Sequence, residues 1–387
     1  MKSLRFGIVG CGLMGREFAS AAARWCHLLS PASRPEIVAI CNRSAAPFDW
    51  FRQNFPSIRQ FTHDYRELLA NPEVEAVYMA LPHHLHAEAC CATIEAGKHL
   101  MAEKPLGIDV SANQAISDCA ARHPKVSVRC ASQWIFYPAV QRLGDAIERG
   151  AFGQIIEVNA GFLHSSDLDP NKMINWKRRV EFNGEYGVMG DLGMHACALP
   201  FRAGWIPRNV RAILSDIVKE RPDGKGGRAR CSTWDNATLL CETVQTAGES
   251  NANVVAATFP MTLKFQRISP GQKNTFYLEI LGTKASARFS TRNPKRLEWL
   301  DYSGGEQMWG NLETGHETAF KTITGAIFEF GFPDAILQMW AAFLHEFATG
   351  RPMKRFAGCP TLEEAALSHR LFTAALASQN SQSVQAV

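Results

Sequence analysis

Three side chains in this 387-residue chain stand where moving a hydroxyl proton would need them. Asp191 and His195 are four residues apart, so on a helix they share one face and the carboxylate can orient the imidazole. His195 is then the side chain suited to accept an alcohol proton near neutral pH. Lys104 follows the apolar run His99-Leu100-Met101-Ala102 within Glu103-Lys104-Pro105, at the carboxyl end of an expected parallel strand, where its ammonium can reach a substrate oxygen. Each has a plainer reading as well: a capping or core Asp/His pair, and a surface strand end.

A second group of residues fits a phosphate. Phe6, Ile8 and Val9 form an apolar strand, and Phe18 to Trp25 reads as a helix, so Gly10-Cys11-Gly12-Leu13-Met14-Gly15 spans a strand-to-helix turn, the context of a dinucleotide fingerprint. Gly10 takes the tight turn, Gly12 leaves the backbone open to a pyrophosphate, and Gly15 lets the helix lie close to the strand. The next strand, Glu36 to Cys41, ends at Asn42-Arg43-Ser44, where a carboxylate would bind the ribose of NAD. A neutral Asn42 and a cationic Arg43 favour NADP over NAD, with Arg43 as a plain loop residue the alternative. Leu81-Pro82-His83-His84-Leu85-His86 follows the strand Val74 to Ala80, again where ligands of such sheets sit. Three histidines in four residues suggest zinc, but without a nearby acidic or cysteine partner the expectation is no metal.

These pieces need a frame. Alternating strands and helices up to Val126–Ala131 predict a Rossmann domain over residues 1–131. Residues 132–387 read as an α+β domain with a large, mainly antiparallel open sheet: the runs 154–163, 208–218, 236–246, 253–259, 276–281 and 286–289 read as strands with few helices between. An amphipathic helix at 140–149 opens this half, and helices at 334–349 and 361–378 close it, before a polar tail expected to fray. The second closing helix starts with a Thr361…Glu364 capping box.

Composition narrows the function. Hydrophobic residues make up 46% and charged residues 20%, as in ordinary globular domains. A net charge of +4 and a pI near 8.5, without a basic stripe, give no support to nucleic-acid binding. Lys177-Arg178-Arg179 is the densest positive cluster and reads as a solvated face. Eleven cysteines without a C-x-x-C pair suggest free thiols in a reducing compartment. With no room for a leader before the first strand and no bilayer-length apolar run, a cytoplasmic protein away from membranes is expected.

Taken in order, Gly10-x-Gly12-x-x-Gly15, Pro82…His86, Ala96-Gly97-Lys98-His99 leading into Glu103-Lys104-Pro105, Trp176-Lys177 and Asp191-x-Gly193-x-His195 resemble the Gfo/Idh/MocA family of sugar and polyol dehydrogenases over nearly the whole chain. The resemblance implies an NAD- or NADP-binding Rossmann domain, with Leu81, Pro82, His83, His86, Glu103 and Lys104 lining the cofactor. It also implies a second domain whose sheet forms a homodimer or homotetramer interface. Lys104 corresponds to the lysine on the reacting oxygen, Asp191 to the substrate-side carboxylate and His195 to the general acid/base. Trp176 and Lys177 correspond to an aromatic–basic pair lining the sugar pocket. The chain departs from the family at Glu185-Tyr186-Gly187, where a triple glycine is usual; Tyr186 would narrow the pocket or stack on a sugar ring. The expected activity is hydride transfer between a sugar, polyol or related hydroxy compound and a nicotinamide. The alternatives are a cofactor-retaining enzyme that uses transient oxidation, and a non-enzymatic sugar sensor.

Overall fold

The computed structural model describes residues 2–246, 258–302 and 306–387, which form two compact units. The first comprises residues 1–136 and 316–365, the second residues 137–315 and 366–387.

In the first unit the chain runs β1 (Lys2–Val9), α1 (Leu13–Ala23), β2 (Ser33–Cys41), α2 (Phe48–Asn54), β3 (Gln60–Thr62), α3 (Tyr65–Ala70), β4 (Ala76–Met79), α4 (His86–Glu95), β5 (His99–Ala102), α5 (Val110–Arg122) and β6 (Val128–Cys130). The six strands pair in parallel in the order β3-β2-β1-β4-β5-β6. This is the doubly wound Rossmann order, whose reversal between β1 and β4 opens a crevice at the strand ends. The expected strands and helices are all present, with ends shifted by a few residues.

Residues 316–365, counted from sequence with the second half, pack with this unit. The reason is aromatic. Trp340 stacks on Phe18 with ring centroids 3.8 Å apart and meets Tyr78 at 4.9 Å and Phe6 at 5.6 Å, both edge-on. Burying such rings is a large hydrophobic gain, and offset or edge-on pairs add to it.

In the second unit, α6 (Pro138–Glu148) and β7 (Ile155–Leu163) lead to α7 (Val180–Asn183) and α8 (Met194–Arg202). There follow β8 (Trp205–Ser215), β9 (Glu220–Pro222), β10 (Arg228–Arg230), β11 (Asn236–Gln245), β12 (Thr258–Gln266), β13 (Thr275–Gly282), β14 (Ala285–Ser290), β15 (Arg296–Asp301) and β16 (Gly310–Glu313). Helix α9 (Phe332–Thr349) belongs to the first unit; α10 (Leu362–Ser381) and β17 (Gln385–Ala386) complete the chain. Nine strands order as β16-β15-β14-β13-β7-β12-β11-β8-β17, antiparallel except for β7 against β12. The open, mainly antiparallel sheet expected from sequence is therefore present. Of the strand expected at 253–259, residues 253–257 lie outside the described residues, and β12 starts at Thr258.

The polar tail does not fray. Ser378 Oγ accepts from Ala212 N at 3.0 Å, Gln379 Oε1 accepts from Leu214 N at 2.8 Å, and β17 pairs with β8. Its polar side chains supply the partners that an edge strand lacks.

Candidate functional site

In the first unit the candidate residues collect at the carboxyl ends of β1, β2, β4 and β5. Gly10 adopts φ +100°, and a Cβ there would lie 2.2 Å from Ala80 O. A Cβ on Gly15 would lie 2.3 Å from Gly10 O, whereas one on Gly12 would meet nothing within 4 Å. Helix α1 starts at Leu13, its N-cap Gly12 offering no side-chain cap, and its first turn holds no acidic residue. Leu13 is exposed and Met14 half-buried. An uncapped helix start beside open space suits the pyrophosphate of a dinucleotide.

Asn42 has a role the sequence does not disclose. Its Oδ1 accepts from Cys11 N at 3.1 Å and its Nδ2 donates to Ser44 O at 2.8 Å. It therefore ties the glycine turn to the end of β2. Arg43 and Ser44 are exposed, and among the described residues Arg43 meets no carboxylate. The Cys11 thiol, pushed up to about 12 by burial and then by Cys41, is inert.

After β4, Leu81 and Pro82 are half-buried, and His83 and His86 are buried with rings 5.6 Å apart. His86 Nδ1 accepts from Gly107 N at 3.3 Å, which leaves Nε2 to donate to Leu81 O at 2.9 Å. It joins the loop after β4 to the turn after β5. Among the described residues no three His, Cys, Asp or Glu side chains are grouped for a metal ion.

After β5, Glu103 is buried and accepts from Tyr78 Oη at 2.5 Å. Burial, then the Glu103 charge, holds that phenol well above its usual range. Lys104 is half-buried and its peptide bond to Pro105 is cis. Gly107 follows at φ +119°, and a Cβ there would lie 2.8 Å from Asn113 N.

The second unit holds the other candidates. The Asp191 carboxylate is buried between two cations: Lys177 Nζ donates to Oδ1 at 2.9 Å and to Oδ2 at 3.2 Å, and Arg267 Nε donates to Oδ2 at 3.2 Å. Asp191 lies in a π-helical turn, Met189–Gly193, and His195 in the first turn of α8. Such turns recur at functional sites. Gly193 is small because Phe372 is close: a Cβ would lie 2.5 Å from its ring. The His195 ring is buried, edge-on to Phe162 at 5.5 Å. Trp176 is half-buried, and Lys177 Nζ lies 5.8 Å from its ring centroid.

Two expectations change here. Tyr186 is 3% exposed, with its hydroxyl 2.7 Å from Thr373 Oγ1 and its ring against His369 and Phe372. It has too little surface to stack on a sugar; the position is filled by packing on α10. Arg178, read as part of a solvated face, is fully buried and paired with Asp235. Asp235 also accepts from Ile217 N at 2.6 Å and Val218 N at 2.9 Å, so the pair braces the segment carrying Lys177.

Sequence reading missed Arg267 and His164. Arg267 follows β12 as an ordinary strand-end cation, with no local sign of its partner 76 residues away. His164 extends the alternation Val158, Ala160, Phe162 by one step and is half-buried, a signal the sequence did carry.

Residues 4–130 match the model of an oxidoreductase family with an NAD-binding Rossmann fold, the Gfo/Idh/MocA family. Levoglucosan dehydrogenase of Pseudarthrobacter phenanthrenivorans is 28% identical over 302 residues, 77% of this chain and 76% of that protein. Trans-1,2-dihydrobenzene-1,2-diol dehydrogenase of Mus musculus is 28% identical over 246 residues, 60% of this chain and 70% of that protein. A solved structure of levoglucosan dehydrogenase in complex with NADH and L-sorbose matches with a TM-score of 0.87. It covers 100% of this chain and 99% of that one at 23% identity, a likeness of fold. Residues 4–130 thus match the NAD-binding Rossmann domain of the Gfo/Idh/MocA oxidoreductases, and the likeness over the whole chain is one of fold.

Proposed function

We propose that this chain is a dehydrogenase of sugars, polyols or related cyclic hydroxy compounds, with NADP preferred over NAD. The observation that carries the reading is the Asp191 carboxylate, buried between Lys177 and Arg267 four residues before His195. A carboxylate and an ammonium offer a hydroxyl both an acceptor and a donor, and the imidazole beside them in sequence accepts its proton.

The bound nicotinamide supplies the hydride chemistry. Gly10, Gly12 and Gly15, with the N–H groups of Leu13 and Met14, hold the pyrophosphate. Arg43 and Ser44 meet a 2′-phosphate, while Asn42 fixes their loop. Leu81, Pro82, His83, His86 and Glu103 shape the cofactor's surroundings. Lys104 donates to the reacting oxygen, favouring its alkoxide character. His195 takes the hydroxyl proton, Asp191 orients it, and Trp176 and Lys177 line the substrate pocket. The names of the relatives, an anhydrosugar and a dihydrodiol dehydrogenase, support a cyclic substrate bearing neighbouring hydroxyls.

Eleven free cysteines support a reducing, cytoplasmic location, and among the described residues no helix is long and apolar enough to cross a membrane. The exposed Ile156, Ile213 and Leu240 of the large sheet support a homodimer or homotetramer.

The test is a panel of aldoses, polyols, inositols, sugar acids and 1,6-anhydrosugars, with NAD and NADP in parallel, read by absorbance of the reduced cofactor. Turnover of at least one polyhydroxylated compound is expected. No turnover of any member with either cofactor overturns the reading.

A further inference from the structure

We propose that His164 is a specificity-determining residue of this oxidoreductase, its Nε2–H donating to a hydroxyl oxygen of the substrate beside the Asp191–Lys177 pair. The inference rests on the polyhydroxylated-substrate reading above and extends it to a residue outside the family pattern. His164 stands directly after β7, and its main chain is fixed on both sides: its N donates to Gln266 O at 2.8 Å, and its O accepts from Ser269 N at 3.2 Å. Ser166 N approaches Nδ1 at 3.4 Å and Ser166 Oγ lies 2.8 Å from it. A main-chain N–H can only donate, so Nδ1 is the acceptor and the neutral ring carries its proton on Nε2. Among the described residues nothing takes that N–H, and the side chain is half-buried rather than sealed in the core. The Phe162 ring lies 6.0 Å from His164 and 5.5 Å from His195, edge-on to both.

The charges facing the ring are Asp191, Arg267, Lys177 and Asp167. Burial, supported by Arg267 and Lys177, outweighs the two carboxylates and lowers the imidazole to about 4. It is therefore a neutral donor at and around neutral pH. A carboxylate acceptor, an ammonium and a neutral N–H donor in one unit complement two hydroxyls better than one. The ligand chemistry they fit is a vicinal diol.

The test compares His164→Phe, which keeps a ring without a donor, with His164→Gln, which restores an N–H donor. The probes are a set of sugars and anhydrosugars together with their monodeoxy analogues. His164→Phe is expected to raise KM about tenfold, the value of one hydrogen bond at the upper end of its usual range. Its kcat stays within a few-fold and its cofactor affinity is unchanged. It also loses discrimination against one deoxy analogue, part of which His164→Gln recovers. Nitrogen-15 spectra of wild-type His164 are expected to show the neutral Nε2–H tautomer from pH 5.5 to 8. A wild type inactive on every probe overturns the substrate reading and this inference together. An active wild type whose His164→Phe variant keeps KM and discrimination overturns the inference alone. Protonation of His164 above pH 6, or a proton on Nδ1, overturns it even if His164→Phe does not fold.

Discussion

The Arg267 guanidinium joins the Asp191 carboxylate to the main chain of Lys177: Nε and Nη2 lie 3.2 and 3.1 Å from Asp191 Oδ2, and Nη1 donates to Lys177 O at 2.9 Å. Lys177 Nζ returns to the same carboxylate. Thr233 Oγ1 also donates to Lys177 O at 2.9 Å, and Asn175 Oδ1 accepts from Lys177 N at 3.0 Å. One buried arginine thus sets both a charged side chain and the backbone that carries its partner.

Arg267→Met removes a fully buried partner of a buried charge, a change that costs about 3–5 kcal/mol. Lys177→Met removes an ammonium whose side chain is 40% exposed, so its cost is expected to be below about 1 kcal/mol. Denaturant unfolding of the two variants checks the order. Equal losses would show that Arg267 does not hold the cluster.

His195→Ala is expected to lower turnover roughly 10²–10⁴-fold, the usual worth of a positioned acid/base. Cofactor affinity, measured by fluorescence titration, is expected to stay at the wild-type value, because holding the nucleotide does not use the imidazole. A variant within a few-fold of wild-type turnover removes His195 from the proton path.

Arg43→Ala is expected to weaken NADP far more than NAD. Each charge-assisted bond to a 2′-phosphate is worth about 1.5–3 kcal/mol, and NAD gains none of it. Paired cofactor titrations on wild type and variant decide the matter. Equal losses, or a wild type that prefers NAD, place Arg43 away from the phosphate.

His99 makes the first unit sensitive to acid. Ser127 N donates to its Nδ1 at 3.0 Å, and burial lowers the imidazole to about 4 against the opposing pull of Glu75. The folded value lies below that of the unfolded chain, near 6.5. Above that pH neither state holds the proton. As pH falls from about 6.5 to about 4 the unfolded state binds it first, so stability drops. His99→Gln is expected to flatten this part of the stability curve relative to wild type; parallel curves would contradict the assignment.

The Rossmann half was legible because parallel strands buried on both faces read as apolar runs, and because Gly10 and Gly15 stand where a Cβ would strike backbone. The place of α9 was not. Its apolar residues announce burial without saying against what, and only the fold shows Trp340 stacked on Phe18. The polar tail misled because Ser378 and Gln379 satisfy main-chain N–H groups of β8 rather than water. At the candidate site, Asp191 and His195 carried a recognisable spacing, whereas Lys177 read as part of a solvated cluster and joined them only through the family resemblance. Arg267 reaches them only through the sheet, and Tyr186 was misjudged because an aromatic ring in a sequence does not show which side packs.

The most direct test of the central claim is stoichiometry: reduced cofactor released against carbonyl product formed, from one polyhydroxylated substrate over many turnovers. A dehydrogenase working through Lys104 and His195 is expected to release the two in equal amounts. Product formed without release of reduced cofactor would contradict it and place the chain with cofactor-retaining enzymes that oxidise only transiently.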